Sequence, residues 1–448
     1  MRPQIPVGPA LLGAALVLGL VLRLAPILLA DFPLGDGGLF AVMAQDLRRS
    51  GFALPEFTTY NGGGIPFAYP PLGLYLLALA PGDPISTERW LPLVWSMLAI
   101  PAAYLLAREL SGSRRAGVAS VIFAVMPITW AIEGGGVTRA LAFALFLYAL
   151  WRLTVLLRRP GLRNAVVAGV LFGAALLTHP VVGPPGLASA VLLCGFRASR
   201  RGIAWAAGSA ITATLVIAPW LLTVVGRHGL APLAVAAGAH ASEQPIPRLL
   251  VYGPSWLGAL DLVVALAILG LAISITRRDL FLPAWLLILI LVPGGEGRYA
   301  ALAWAMLAAA GVWVVLDALR SAGADKLFAG IGIALLFIAS LLSGYQHFYP
   351  LGSAVRAAAV AAGGSVPPDT RFGVMSDAAG GDEALLDWFP ALSRRISAGT
   401  YMGLEFASAK AWNHALQDNH MIQAGIVPAD VDLLFVVRDG RATIEAPR

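Results

Sequence analysis

The chain has 448 residues, 58% hydrophobic and only 12% charged, with a net charge of +6. Soluble domains carry about 25% charged residues, so this composition excludes an ordinary soluble enzyme, and long apolar runs in place of strict alternation exclude a β-barrel. The single cysteine, Cys194, permits no disulfide within the chain and no zinc site of cysteines and histidines, and the arginines gather in short loops, where they report topology rather than nucleic-acid binding.

In chain order, an apolar run from Val7 to Leu22 lies between Arg2 and Arg23. It has the outline of a signal peptide, but no convincing small-residue cleavage site follows and further spans come after, so a retained first helix over Gly8–Ala30 is expected. The polar stretch Asp31–Pro71 follows, carrying Asp31, Asp36, Asp46 and Glu56 among glycines and aromatics. A long acid-bearing, glycine-rich loop at a membrane face is where chemistry is expected. Within it, Leu39, Phe40, Met43 and Leu47 recur at helical spacing, which predicts a short amphipathic helix on the membrane surface with Asp36 at or just before its N-terminus. Pro70–Ala80 is too short to cross about 30 Å of hydrocarbon and reads as re-entrant or interfacial. Ten more apolar stretches complete the bundle: Trp90–Ala107, Ala116–Ile132, Ala140–Leu157, Ala165–Leu177, Gly186–Phe196, Ile203–Val225, Trp256–Ile275, Leu280–Val292, Ala300–Leu316 and Leu327–Leu342. The expectation is an all-α polytopic membrane protein of about eleven spans.

Loop charge supports that count. With the N-terminus cytoplasmic, the inner loops hold Arg108, Arg114, Arg115, Arg152, Arg158, Arg159, Arg163, Arg197, Arg200, Arg201, Arg277, Arg278, Arg320 and Lys326. The opposite loops, GGGVT, HPVVGPPG and PGGEGR, are poor in positive charge, and counting Pro70–Ala80 as a span would reverse this pattern. The expected division is a transmembrane domain over 1–344, with external loop 31–71, and an external C-terminal region over 345–448. In that tail RFGVM and VDLLFVV read as strands and Glu405–Gln423 as a helix, a small α/β appendage.

Several ionisable residues fall on one membrane face under this topology: Arg23, Asp36, Glu133, Arg139, His179, Glu296 and Arg298. Each has a plain structural reading beside the functional one. Asp36 is a turn or N-cap residue, or a carboxylate meeting a substrate. Arg23 snorkels, or binds an anion. Glu133 and Arg139, in WAIEGGGVTRA, pair with each other, or line a site where the triple glycine allows close backbone approach. His179 in LLTHP is a hydrogen-bonded structural histidine, or a ligand. Glu296 and Arg298 in PGGEGRYAALAW flank a helix start; a cation there opposes the helix dipole, and an anionic partner would explain it. Asp31, His240 and Glu243 are weaker candidates. Together, carboxylates and cations on one face suit a lipid-linked phosphate substrate, with the cations holding phosphate and a carboxylate acting as base.

In its order of motifs the chain resembles the GT-C glycosyltransferases, which include protein O-mannosyltransferases and lipid A aminoarabinose transferases. A first helix ends in an arginine-bearing stretch, and GDGGLF stands where many relatives have Asp-Glu and an aromatic. YPPLGLYLL follows, then RWLPLVWSMLAIPAAYLLAREL running into SGSRR. LFGAALLTHP resembles the family's helix ending in Leu-Thr-Lys, GRYAALAWAMLAAAG its late Arg-Tyr helix, and DWFPALSRR with TYMGLEF the external tails of bacterial members. The resemblance implies a polyprenyl-phosphate sugar donor and inverting transfer to a glycan, lipid or protein acceptor at the external face of the plasma membrane. It implies Asp36 as base, Arg298 and His179 as phosphate contacts, and Arg139 or Arg23 assisting. Gly37 and His179 depart from the acidic residue and the lysine usual at those places. No cofactor is expected; a divalent metal stays open, and the opening loop has no Asp-x-Asp pair.

A transporter or flippase of lipid-linked glycans, or an inactive GT-C-like scaffold binding a partner through its tail, are the alternatives. A transporter would show mid-bilayer charges and repeated halves. Most spans lack central charge, Asp261 near one end of its span being the best exception, and no internal repeat is present.

Overall fold

The computed structural model describes residues 7–239, 261–292, 297–377 and 382–447. His240, Glu243 and Glu296 lie outside the described residues, as does the side chain of Asp261.

The protein is a polytopic helical membrane protein, and among the described residues every expected apolar stretch falls largely on a helix, the one over Ala116–Ile132 leaving its helix after Val125. After α1 (Val7–Leu29), the polar insertion and its exit contain α2 (Gly38–Arg49), α3 (Leu72–Leu79) and α4 (Pro84–Glu88). Then come α5 (Leu91–Ser111), α6 (Ser113–Val125), α7 (Gly136–Arg158), α8 (Leu162–Leu176), α9 (Gly183–Arg197) and α10 (Arg200–His228). A short α11 (Ala231–Ala239) precedes α12 (Asp261–Thr276), α13 (Phe281–Leu291), α14 (Gly297–Arg320) and α15 (Asp325–His347). Among the described residues, seven helical segments are long and apolar enough to cross a bilayer. α3 has eight residues, about 12 Å of helix, which cannot cross. The last turns of α5 and α7 meet directly, Arg158 donating to Glu109 at 2.7 Å.

Burial separates an interior from a rim. The apolar windows of α7 and α14 are 72% and 61% buried, against 17% for α10 and 22% for α15. The interior pair is locked by Tyr299 of α14, whose ring meets Phe143 and Phe146 of α7 edge-on at 5.8 and 5.2 Å. Side chains on the first turns of these two helices are therefore held by the best-packed part of the bundle.

The structure places Arg23 away from the expected phosphate contact. Its side chain is fully buried, and all three guanidinium nitrogens donate to protein. Nε reaches Ser96 Oγ at 2.8 Å, Nη1 reaches the carbonyls of Ala124 at 2.7 Å and Gly19 at 3.2 Å, and Nη2 reaches Thr129 Oγ1 at 3.0 Å. The guanidinium also sits 5.7 Å from the centre of the Trp130 ring. A cation among helices is tolerated when carbonyl and hydroxyl oxygens replace its water, and here that cation ties α1, α5 and the end of α6 together.

The polar insertion is bound to the tail. α2 buries Leu39, Met43, Ala44 and Leu47 against Tyr60, Ile65, Tyr69, Leu74 and Leu77. Asp46, also buried, accepts from Thr58 Oγ1 (2.8 Å), Thr59 N (2.8 Å) and Thr59 Oγ1 (2.7 Å), fixing the hairpin of β1 (Phe57–Thr58) and β2 (Ile65–Pro66). Arg48 donates to the carbonyls of Ala78, Ala80 and Gly82 at 2.7, 2.6 and 2.6 Å, satisfying the open end of α3. The apolar face of α2 is thus covered by protein, not laid on lipid as the periodicity had suggested. Amphipathicity reports that a face is covered, not what covers it.

The tail adds α16 (Ser353–Ser365), α17 (Glu383–Ser393) and α18 (Ala409–Gln423) around a sheet ordered β4-β3-β5-β6. β3 (Arg371–Ser376) pairs in parallel with β4 (Ile396–Ser397) and with β5 (Leu433–Arg438), while β6 (Arg441–Glu445) pairs antiparallel with β5. Both expected strands and the expected helix are present, the helix beginning at Ala409 after a single turn over Leu404–Phe406.

Replacing Arg23 by alanine strands the Thr129, Ser96 and Ala124 oxygens, at a cost on the order of 3 kcal/mol. The expected result is a lowered thermal midpoint in detergent with unchanged donor KM; a raised KM at unchanged stability would return Arg23 to the substrate.

Candidate functional site

The site forms where two loops approach backbone to backbone. Gly134 N donates to Leu34 O at 2.8 Å and Gly135 N to Asp36 O at 3.1 Å. A Cβ on Gly134 would stand 2.3 Å from the Asp36 carbonyl oxygen, and one on Gly135 would stand 2.6 Å from Arg139 Nη2. Only glycine allows this contact, and it brings the start of α7 against Asp36.

Four of the expected residues meet there. Arg139, in the first turn of α7, donates from Nη1 to Asp36 Oδ2 at 2.9 Å and from Nη2 to Asp36 Oδ1 at 2.6 Å. Gly135 N adds a 3.3 Å contact to Oδ1. Arg139 Nη2 also lies 3.3 Å from Glu133 Oε1, and Arg298 Nη2, in the first turn of α14, lies 3.7 Å from the same oxygen. Asp36 keeps 32% of its side-chain surface exposed, enough for a second molecule to reach the carboxylate.

His179 stands behind this group and is joined to it by hydrogen bonds. Its Nδ1 is 2.6 Å from Tyr69 Oη, which is 3.2 Å from Thr138 Oγ1, and that hydroxyl donates to Gly135 O at 3.1 Å. The same Gly135 touches Asp36. A few residues beyond His179, an apolar cavity of about 240 Å3 opens between α7, α8, α9 and α10, lined by Phe172, Leu176, Val182, Gly186, Cys194 and Ala213. Arg23 is not part of the group, and Glu296 lies outside the described residues. Asp31 pairs with Arg356 of the tail, which holds its carboxyl below the usual range.

The sequence reading missed Asp387. α2 begins at Gly37 and Gly38 with no side-chain cap of its own, and Asp387 supplies one from 350 residues away. Its Oδ2 accepts from Gly37 N (2.6 Å) and Gly38 N (2.7 Å), and its Oδ1 from Leu39 N (3.1 Å) and Tyr60 Oη (3.1 Å). The next residue, Trp388, donates from Nε1 to Gly35 O at 2.8 Å and meets the Phe32 ring at 4.6 Å. The tail therefore grips both neighbours of Asp36. Glu88 closes the back: it is fully buried, its Oε2 lies 2.7 Å from where a Gly37 Cβ would stand, and neither oxygen has a hydrogen-bond partner among the described residues. One signal was available: a helix opening on Gly-Gly needs an acceptor from elsewhere.

No protein-family model and no curated protein matches the chain. Solved structures do. The archaeal oligosaccharyltransferase AglB from Archaeoglobus fulgidus, in complex with an inhibitory peptide and a dolichol-phosphate, superposes with a TM-score of 0.66 at 15% identity, over 96% of this chain and 69% of that one. The Archaeoglobus fulgidus oligosaccharyltransferase complex with zinc and sulfate gives 0.59 at 16%, over 95% and 67%. ArnT from Cupriavidus metallidurans, bound to undecaprenyl phosphate, gives 0.60 at 14%, over 97% of each chain. The chain has the fold of the GT-C membrane glycosyltransferases.

Asp387 gives a pH prediction. Burial, with Asp36 beside it, pushes its carboxyl up from 3.8 to about 6, against the pull of the Gly37 and Leu39 amides. A folded value above the unfolded one means that protonation favours the folded chain: the contribution is complete below about pH 4 and is lost as pH rises through about 6. Two pH units correspond to about 3 kcal/mol. Between those limits the wild-type thermal midpoint should fall relative to Asp387→Asn, whose amide does not titrate; parallel curves would refute the assignment.

Proposed function

We propose that the protein transfers a sugar from a polyprenyl-phosphate donor to an acceptor at the external membrane face, with inversion and with Asp36 as base. The observation that carries this reading is the Asp36 carboxylate, about a third exposed at one end of a GT-C-like bundle and grouped with Arg139, Arg298 and Glu133. The fold's neighbours in complex with dolichol-phosphate and undecaprenyl phosphate support a lipid-linked donor. The loop charge supports the orientation, with the N-terminus cytoplasmic and residues 345–448 external at the plasma membrane.

In this reading the acceptor hydroxyl gives its proton to Asp36 while its oxygen attacks the anomeric carbon. The carbon–oxygen bond to phosphate breaks on the opposite face, and polyprenyl phosphate leaves with the electron pair. Arg298, assisted by Arg139, neutralises the departing phosphate. Both arginines sit in first turns of helices, where a cation opposes the dipole and an arriving anion relieves the conflict. Glu133 holds Arg298 until the donor phosphate takes its place. The first isoprene units of the prenyl chain would lie in the apolar cavity lined by Leu176, Val182 and Gly186, with His179 steering the phosphate end.

The test is turnover in liposomes with a panel of radiolabelled polyprenyl-phosphate sugars, water and simple alcohols serving as acceptors. Asp36→Asn should lower release of polyprenyl phosphate by about 10²–10⁴-fold, and Arg298→Ala should lower kcat/KM by about 10²–10³-fold. Full activity in the Asp36 variant would sink the reading.

A further inference from the structure

Two carboxylates that converge from separate loops repel one another and are ordinarily reconciled by a cation between them. A divalent metal is one solution, binding oxygens at about 2.0–2.6 Å, and a solved structure with this fold contains zinc. Among the described residues the donor set does not fit a metal. Both Asp36 oxygens already accept from Arg139, at 2.9 and 2.6 Å, and Oδ1 is also approached by the Gly135 amide. Glu133 Oε1 faces Arg139 at 3.3 Å and Arg298 at 3.7 Å. Both Asp36 oxygens and Glu133 Oε1 are turned toward guanidinium, leaving of these two carboxylates only Glu133 Oε2 without a hydrogen-bond partner among the described residues, and two arginines repel a doubly charged ion.

We infer that Arg139 is the built-in cation of this site, bridging Asp36 and Glu133 in the place a divalent metal would otherwise take. Three features make the placement permanent. Arg139 folds back over the turn that begins its own helix, and only the missing Cβ of Gly135 leaves room for Nη2 there. Its helix, α7, is the most deeply buried span among those long enough to cross. Its bidentate grip on Asp36 matches the planar fork of a guanidinium, which lysine cannot reproduce. A covalently attached cation neither exchanges nor yields to chelators, so the geometry of Asp36 is independent of metal supply. It carries one charge where a metal carries two, and Arg298 supplies the second. The inference rests on the proposed reaction only for its catalytic consequence. Metal binding is measured without turnover, so the two readings fail separately.

The experiment is Mn2+ binding to the purified full-length protein in detergent, followed by electron paramagnetic resonance and by the thermal midpoint. The proteins are the wild type, Asp36→Asn, Arg139→Gln and the double variant Arg139→Gln/Asp36→Asn. The wild type should show no Mn2+ binding that Asp36→Asn removes, and no Mn2+-dependent rise in midpoint. Arg139→Gln should bind one Mn2+ per chain, with a raised midpoint, and the double variant should lose both effects. Methylguanidinium should stabilise Arg139→Gln and leave the wild type unmoved, a rescue that a merely structural arginine would not give. Asp36-dependent Mn2+ binding by the wild type would overturn the inference, and so would a folded Arg139→Gln that takes no Mn2+. The wild-type arm decides even if the Arg139 variant does not fold.

Discussion

The bidentate pair between Asp36 and Arg139 is the constraint on which the site depends. It forms because a bare backbone approach puts Gly134 and Gly135 against Leu34 and Asp36. That approach needs three things at once: a loop without side chains on one side, a segment turning at Gly35 on the other, and a helix start delivering a guanidinium at the right height. The chain meets them with GGGVTR opening α7 and with Leu34–Asp36 leading into α2. The pair then gains rigidity from below, since α7 and α14 form the interior of the bundle and Tyr299 wedges them together through Phe143 and Phe146. Arg139 and Arg298 inherit that stiffness because each stands in a first turn.

The second constraint comes from the tail. Asp387 accepts from three successive amides at the start of α2, and a carboxylate at a helix N-terminus is favoured by the dipole as well as by the hydrogen bonds. It is also buried close to Asp36 and Glu88, where each negative charge raises the cost of the next. The amides and Tyr60 offset part of that cost; Tyr60, pushed up by burial and then by Asp387, stays a donor. Glu88 has no such help: neither oxygen of its enclosed carboxyl has a hydrogen-bond partner among the described residues. One edge of Asp36 therefore faces arginine and the other a crowded set of acids. Trp388 and Asp387 hold the segment on both sides of it, which is why the tail belongs to the site rather than to its surroundings.

Much of this was legible in the sequence. The apolar stretches, the spacing of Leu39, Met43 and Leu47, the strands RFGVM and VDLLFVV, and the shared end for Asp36, Glu133, Arg139, His179 and Arg298 all follow from periodicity and loop charge. What escaped was long-range pairing. Arg23 reads as a snorkelling or anion-binding residue until Ser96, Thr129 and the Ala124 carbonyl are brought to it from more distant parts of the chain. Asp387 sits in DWFPALSRR with nothing local to mark it, and its amide partners carry no side chain to announce a need. The surface placement of α2 failed for a related reason: period alone cannot distinguish lipid from the protein that packs there. The turn into β6 was open to local reading, since Asp439-Gly440 with positive φ at both residues is the usual two-residue hairpin.

The charge balance of the site bears on how the proposed reaction would proceed. Among the described residues, Asp36 and Glu133 bring two negative charges and Arg139 and Arg298 two positive ones, so the resting group is close to neutral. Arg139 is fixed to Asp36 by two short bonds, whereas Arg298 holds Glu133 by one long contact of 3.7 Å. In the proposed reaction an arriving phosphate would meet Arg298 at its Glu133 contact, while the two short bonds between Arg139 and Asp36 stay in place. Under that reading the donor would enter by loosening Glu133 while the geometry of Asp36 is preserved. Holding the base still while the leaving-group contact rearranges is what an in-line displacement requires.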